Sequence, residues 1–560
     1  MKKLISLLLS GMLIFALLPL PASASAGYKD VPVGSWAASS IEKTAQYKLM
    51  DGIGGGDFGY GAAITRAQFV TILCRMFAWE STDAPGFSDV APTQWYAPYI
   101  NTALAHDVVD AGKTFRPDAP ILREEMAVML VRALGYKALA ESASAYSLPF
   151  TDIAANRGYI AIAYDIGMIN GTSASTFSPS ATAKREEAAA MLVRVYEKLK
   201  SKTEWLQGFY AFSSYAQREV TREMDAVTMG WSRLSYSADK GAYLNTGSAN
   251  GNEWTIPQSY ESIVNYLDGN GTPMNLGVYM DTSDKVALPD GMRSNAARAV
   301  LLDETLRAQA VTAITDELTR VYSAVGKNPY SGVTIDFEGL KGAELKAGLN
   351  AFLTALSAKL KPLGKALYVT VQPATVGEYF DGFDYRTIGE LADRVILMAH
   401  DYNATSLAGF EGSSYYKTTA LTPIEQVYYS LRAATDAETG VRDRSKLALA
   451  LSFSSLAWQI KDGKLISPTP ATPAVSTIYK RLLQPGTVIG WSEQYQNPYA
   501  TYSTEDGSEY FLWYEDARSV TAKLQLARLF GINGVSVWRI GNLPNYPDPS
   551  IFYNLPEALK

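Results

Sequence analysis

The chain has 560 residues, 47% hydrophobic and 19% charged, with a net charge of −6. That length exceeds one ordinary domain, and the composition supports a large packed core. The acidic balance argues against a basic nucleic-acid face. A single cysteine, Cys74, rules out an internal disulfide and a cysteine-ligated metal centre, and two histidines, His106 and His400, rule out a multi-histidine zinc site.

At the N-terminus, "MKK" is followed by the apolar run "LISLLLSGMLIFALLPL" and the small residues "PASASA". This reads as a secretory signal peptide over 1–26, cut after Ala24 or Ala26. No later stretch is long and apolar enough to span a bilayer. The mature chain is expected to be exported, with no membrane span after cleavage.

A repeat follows, with a period of about 60 residues. "YKDV" at 28–31 recurs as "FSDV" at 87–90 and "FTDI" at 150–153. Each opening leads to a helical pattern, a glycine-containing turn and a second helix. The second helices open with "ITRAQF", "ILREEM" and "AKREEA". Thr65 and Gln68 have the spacing of a capping box. Arg66, Arg123 and Arg185 each fall in a first helical turn, where a cation opposes the macrodipole. Two readings account for them: an anionic ligand at the N-terminal amides, or pairing with a carboxylate across the repeat interface.

The three segments resemble S-layer homology (SLH) repeats over 27–83, 84–146 and 147–203. The resemblance implies a mainly α-helical, pseudo-threefold bundle whose grooves bind pyruvylated secondary cell-wall polysaccharide of Gram-positive bacteria. Arg66, Arg123 and Arg185 match the family's binding arginine, and Trp36 and Trp95 its groove aromatics. The third repeat has Gly158 and Tyr159 in that region and no Trp.

From Trp205 the texture changes, and a second domain is read over 204–560. Short β-rich runs ("GFYAFSSY", "AVTMGWSRLSY", "NLGVYMD", "GVTIDFEGL", "LYVTVQPA", "RVILMAHDYN", "KLALALSFSS", "GVSVWRIG") alternate with helical patterns. Eight such runs predict an α/β (β/α)8 TIM barrel. The long gap before "GVSVWRIG" holds a small β insertion, with Asp506-Gly507 as a hairpin turn. "VYEKLKSKTEW" reads as a helix running almost directly into the first barrel strand.

Within "SGVTIDFEGL" (331–340), residues two apart share a strand face. Thr334, Asp336 and Glu338 form one row, and Val333, Ile335 and Phe337 the other. The polar row points into the barrel, with Glu338 nearest the C-terminal rim where active sites of this fold lie. Two carboxyls in a confined volume cannot both ionise easily, so one holds a proton. A carboxylic acid protonated near neutral pH is what protonates a leaving glycosidic oxygen.

The stretch resembles the glycoside hydrolase family 18 signature, Asp-Gly-x-Asp-x-Asp-x-Glu. Gly332, Asp336 and Glu338 match, and Ser331 and Thr334 replace the first two aspartates. The resemblance is closer to the spore cortex-lytic and cell-wall glucosaminidase branch, whose motif reads Gly-Val-Asn-Ile-Asp-Phe-Glu, and it extends over 205–560. It implies retaining, substrate-assisted hydrolysis with no metal and no cofactor: the acetamide of the sugar attacks its own C1, Asp336 orients it, and Glu338 is acid and then base. "LMAHDYN" resembles the family's Met-x-Tyr-Asp motif. Met398 and Asp401 match, His400 takes the place of the tyrosine that holds the acetamido oxygen, and Tyr402 is a second candidate donor. Trp538 matches the tryptophan on which the sugar stacks. Trp513, with Tyr514 and Glu515, is expected to line the cleft, and Tyr210 to contact substrate.

The expectation is an exported, wall-anchored glycosidase cutting β-1,4 bonds after N-acetylglucosamine in peptidoglycan, or in chitin. The alternative is a catalytically inactive sugar-binding barrel on the cell surface.

Overall fold

The computed structural model describes residues 27–560 apart from 83, 85, 143–147, 249–250, 289–290 and 375–378. The segment read as a signal peptide lies outside the described residues. Among those residues no helix is long and apolar enough to cross a membrane. The chain divides into two compact units: one runs to Ala133 and includes Ser178–Arg194, and the other comprises Leu134–Phe177 and Val195–Lys560.

The first unit is helical. Helices Ala38–Gln46 and Arg66–Phe77 form the first repeat, and Ala97–Ala105 and Arg123–Ala133 the second; the start of helix Arg185–Lys200 comes from the third. The residues just before the three second helices bond in a ring. Ile64 N–H donates to Ala183 O (3.0 Å), Ala183 N–H to Ile121 O (3.1 Å), and Ile121 N–H to Ile64 O (3.0 Å). All three side chains are buried, so the repeats meet on a pseudo-threefold axis with their backbone groups satisfied. The aspartates of the openings close each repeat on itself. Asp30 accepts from the N–H groups of Phe58, Gly59 and Tyr60 (2.7 Å each), and Asp89 from those of Phe115 and Arg116 (2.8 and 2.7 Å).

In the second unit, eight parallel strands close into a barrel: Trp205–Tyr210, Ala226–Ser237, Met274–Asp281, Gly332–Glu338, Ala366–Val371, Arg394–Leu397, Leu447–Ser452 and Gly534–Ile540. The first strand pairs with both the second and the eighth, which completes the closure. "GFYAFSSY" is strand only to Tyr210; Phe212–Glu223 turns into 3-10 helix. The second strand carries a hairpin partner, Gly241–Asn245. Between the seventh and eighth strands lies a five-stranded antiparallel sheet of Leu456–Lys461, Lys464–Leu465, Val488–Ser492, Asn497–Ser503 and Glu509–Trp513. It is larger than the single hairpin around Asp506-Gly507 that the sequence suggests.

The first helix of the third repeat, Arg157–Asp165, belongs to this barrel unit. Arg432 Nε, on helix Ile424–Ala434, lies 3.1 Å from Asp165 Oδ2, and the Tyr428 hydroxyl donates to the same carboxylate. Lys198 Nζ donates to the carbonyls of Ile166 (2.7 Å) and Leu529 (2.6 Å).

The barrel interior is partly polar. Gln207 on the first strand donates to Ser536 Oγ on the eighth (2.5 Å), Thr228 Oγ1 on the second lies 3.1 Å from Gln207 Oε1, and Thr228 and Thr334 hydroxyls are 2.7 Å apart. All four side chains are fully buried. Such a chain persists in a core because each polar atom has a partner. Around it pack Trp205, Phe209, Ala226, Ile396, Ala448 and Ala450.

Candidate active site

The fourth strand places its polar row inside the barrel. In the parallel register Tyr279 stands beside Asp336 and Asp281 beside Glu338. Gly339, at φ +75°, turns the chain off the strand end. A Cβ there would sit 2.3 Å from Thr282 Oγ1, so the position suits only glycine. Its N–H donates to Gln372 Oε1 (2.5 Å) on the neighbouring strand end.

Asp336 is 3% exposed and accepts a 2.6 Å hydrogen bond from Thr370 Oγ1. Burial raises its carboxyl above the usual range; the Thr370 bond and the proximity of His400 work the other way but do not cancel it. Glu338 is raised further from its ordinary value, by burial first and then by the neighbouring Asp336, Asp401 and Asp281 carboxylates. No cation is paired with it among the described residues. A Glu in this setting holds its proton at neutral pH.

A cavity of about 340 Å³ opens in front of Glu338. Gln372, Met398, His400, Asp401 and Tyr402 line it, and the exposed ring of Tyr379 stands at its edge. Asp401 has φ +59°, a left-handed conformation that aspartate tolerates. The turn lets two consecutive side chains meet: His400 Nδ1 lies 2.7 Å from Asp401 Oδ2. The imidazole is buried, and its Nε2 has no partner among the described residues. Asp401 is held below the usual carboxylate range: desolvation raises it, but His400 and the Ser452 and Ser454 hydroxyls outweigh that.

A further aromatic cluster joins the loop residue Trp254 to Tyr279 of the third strand and Trp538 of the eighth. Trp254 stacks on Tyr279 at 4.5 Å with an interplanar angle of 11° and lies 6.0 Å from Trp538. A Cβ on Gly230 would come within 3.0 Å of the Trp254 ring, so the glycine is what seats that indole over the second strand. The Tyr279 hydroxyl donates to Asp281 Oδ2 (2.8 Å), and Arg233 holds Asp284 (2.6 Å) and Asp281 (3.4 Å). Trp538 is half-buried, edge-on to Phe209 at 5.2 Å. Thr370, Gln372 and Tyr279 fall on alternating interior positions of their strands, and that alternation was the available signal; Trp254, in a loop, offered none.

Two expectations are corrected. Trp513 does not line the cleft. It is 1% exposed inside the inserted sheet, and its Nε1–H donates to Tyr416 O (2.9 Å). Both faces of its strand are covered, which buries Tyr514 as well, and Glu515 is locked on Lys523 (2.6 Å). Tyr210 points away from the interior row Trp205, Gln207, Phe209 and packs edge-on to Trp231 at 6.5 Å. Tyr402 reaches the cavity, but its hydroxyl lies 2.6 Å from Ser430 Oγ, which itself donates to Gln426 O (2.7 Å). Either hydroxyl can be the donor of that contact.

In the helical unit, the amides at the second helix starts are occupied. Arg66, Arg123 and Arg185 donate their N–H groups to the carbonyls of Ala119, Ala181 and Ala62 at 3.0, 2.9 and 3.0 Å. No anion can take those N–H groups. The Arg66 side chain pairs with Glu125 and donates to Phe115 O (2.9 Å). Arg185 spans Phe58 O (2.8 Å), Gln68 Oε1 (3.0 Å) and Asp51 O (2.8 Å). Thr65 and Gln68 form a capping box, while Glu125 and Glu187 supply only its returning half, accepting from Leu122 and Lys184 N–H (3.0 Å each). Arg185, Arg75, Gln68 and Trp95 line a cavity of about 370 Å³. Trp36 and Trp95 are 64% and 57% exposed.

Comparison with known proteins matches these two parts separately. The model "Glycosyl hydrolases family 18" matches residues 300–542, which hold the fourth to eighth barrel strands, and "S-layer homology domain" matches 27–70, 86–127 and 149–189. A cortical fragment-lytic enzyme of Bacillus anthracis is 24% identical over 230 residues, 40% of this chain and 49% of the relative. A surface layer protein of Brevibacillus choshinensis is 30% identical over 148 residues, 24% of this chain and 13% of the relative. The spore cortex-lytic enzyme SleL of Bacillus cereus superposes with a TM-score of 0.45 at 21% identity, over 61% of this chain and 72% of that one. The chain spans about half the length of the first of the curated relatives it matches. It carries three S-layer homology repeats followed in sequence by a barrel domain that belongs to glycosyl hydrolase family 18.

Proposed function

We propose that the barrel hydrolyses a β-1,4 glycosidic bond on the reducing side of an N-acetylglucosamine residue, by substrate-assisted retaining catalysis. One observation carries the reading: a half-buried Glu338 at the barrel rim, with no cation paired to it among the described residues, is raised by desolvation first and then by three neighbouring carboxylates, and it lines a cavity with His400 next to Asp336. The Glu338 proton passes to the leaving oxygen. As that bond breaks, the acetamide carbonyl oxygen bonds to the anomeric carbon and gives an oxazolinium ion. Asp336, oriented by Thr370, accepts from the acetamide N–H and stabilises the developing charge. The Glu338 carboxylate then takes a proton from the attacking water, which restores the acid and retains the configuration.

Peptidoglycan is the proposed substrate and chitin the second choice. The repeats would hold the enzyme on secondary cell-wall polysaccharide at the surface of a Gram-positive wall, through the Trp95–Arg185 cavity and the exposed Trp36. The relative named for lysing cortical fragments supports a wall glycan. Incubation of the full chain with peptidoglycan and with chitin oligomers should release new reducing ends. Absence of product from both would favour a sugar-binding barrel without catalysis. For the anchor, wall sacculi should retain the chain and sacculi stripped of polysaccharide should not.

A further inference from the structure

The cavity in front of Glu338 is acidic. Glu338 and Asp401 line it, Asp336 and Asp281 stand near Glu338, and among the described residues no lysine or arginine lines it. Arg233, close by, is already held by Asp281 and Asp284. Chitin is neutral and meets no electrostatic penalty there. In peptidoglycan every second sugar bears a lactyl ether that carries a peptide, and peptide carboxylates are ionised near neutral pH. An anion approaching a cleft of its own sign is repelled unless a cation receives it.

A cation stands at the edge of this cavity. Lys341 follows Glu338 by three residues and is exposed. Its Nζ lies 4.2 Å from the centroid of the Tyr379 ring and 5.3 Å from that of Phe380, and both rings line the cavity with Glu338. The ring quadrupole attracts an ammonium over its face. No carboxylate is paired with Lys341 among the described residues.

Backbone ties fix the lysine there. Gly339 at φ +75° and Gly342 at φ +89° turn the chain on either side of it, conformations that suit glycine. Leu340, before it, is fully buried. Gly342 N–H donates to Asp381 Oδ1 (2.7 Å), and Gly382 N–H donates to Leu340 O (3.2 Å). A Cβ on Gly382 would sit 2.5 Å from the Leu340 carbonyl carbon, so the two segments meet backbone to backbone. The loop after the fourth strand is thereby tied to the segment after the fifth, with Lys341 beside Tyr379 and Phe380.

The direction of cleavage decides which sugar reaches it. The sugar that keeps its acetamide against Asp336 lies over the deeper end of the row. The leaving sugar hangs from the oxygen that Glu338 protonates, toward the end of the fourth strand and the loop that holds Lys341. In a cut after N-acetylglucosamine, the leaving sugar of peptidoglycan is the one that bears the lactyl-peptide arm.

We propose that Lys341, seated over Tyr379, is a specificity-determining residue that receives a carboxylate on the lactyl-peptide arm of the leaving sugar, and so selects peptidoglycan over chitin. This rests on the reading of a cut after N-acetylglucosamine.

The test compares kcat/KM of the full chain at about pH 6, where peptide carboxylates are ionised, on two forms of one substrate. One is a peptidoglycan tetrasaccharide with free peptide carboxylates, and the other is the same fragment with them amidated; a chitin oligomer is the neutral control. The parent should prefer the acidic form by about 3- to 5-fold, the upper range for a solvent-exposed ion pair, and high salt should shrink that preference. Lys341→Gln should bring the ratio to about one, Lys341→Glu should invert it, and Lys341→Arg should keep it. A parental ratio retained in Lys341→Gln overturns the proposal. So does a parent with no preference, or one that cleaves the chitin oligomer and neither fragment. Cleavage of none of the three, or cleavage after the other sugar, refutes the reading on which the proposal rests.

Discussion

The hydroxyl of Thr370, on the fifth barrel strand, gives its proton to Asp336 Oδ1 on the fourth strand across 2.6 Å, while Glu338, two residues further along the same row, has no cation beside it. One carboxyl is thus held for ionisation and the other is left to keep its proton. Two like groups on one strand face take different parts because their neighbours differ.

Removing that hydroxyl should blunt the distinction. Thr370→Val deprives Asp336 of a charge-assisted bond of roughly 1.5–3 kcal/mol. kcat should fall by about 10- to 100-fold with a smaller change in KM, as steady-state kinetics on a soluble N-acetylglucosamine oligomer would show. Unchanged kcat would mean that Asp336 is oriented by something other than Thr370.

Glu338→Gln should abolish turnover and stabilise the fold. A carboxyl raised by folding binds its proton more tightly in the native chain, so its contribution is favourable below the ordinary carboxylate range and is lost as pH climbs through the raised value. Asp336 and Glu338 both shift in this direction. Thermal unfolding of the parent should therefore weaken between pH 4 and pH 8. Glu338→Gln should flatten that slope and gain on the order of 1–2 kcal/mol at the upper end. A variant less stable than the parent at pH 8 contradicts the sign.

Thr334 occupies the place of an aspartate in the family signature, yet its hydroxyl meets Thr228 at 2.7 Å as the end of a chain from Ser536 through Gln207. Its part is structural. Thr334→Val should cost about 1–3 kcal/mol, since it strips a partner from a buried polar network, and should change kcat by less than about threefold. Chemical denaturation and the same kinetic assay separate the two effects.

Arg66 ties the first repeat to the second through Glu125 and Phe115 O. Arg66→Met leaves Glu125 half-compensated by Arg116 at 3.2 Å. The helical unit should lose roughly 3 kcal/mol, the usual result of breaking one side of a largely buried pair, with hydrolysis of a soluble oligomer unaffected. Circular dichroism melting reads the first effect. A melt that does not move would return Arg66 to a ligand-binding role.

Most of the architecture was legible from residue patterns because the barrel strands alternate or run apolar and the repeats announce their own period. The catalytic row was legible because Asp336 and Glu338 stand two apart in an otherwise apolar strand, where only an interior polar face accommodates them. The inserted sheet is larger than its sequence suggests: Leu456–Lys461 and Val488–Ser492 are short strands separated by a segment rich in proline and threonine, and the partner of the first, Glu509–Trp513, lies tens of residues away. Trp513 was misplaced for the same reason, since nothing near it in the chain shows that both faces of its strand are covered. Tyr210 was a parity error of one residue. The Arg66–Glu125 pair and the His400–Asp401 contact depend on distances between side chains, which spacing alone does not carry.

The most direct measurement is the release of reducing ends from peptidoglycan by the full chain and by Glu338→Gln, run side by side at mildly acid pH. The account predicts that the parent produces ends terminating in N-acetylglucosamine and that the variant, folded and still bound to sacculi, produces none. Product from the variant at the parental rate, or ends terminating in the other sugar, would contradict it.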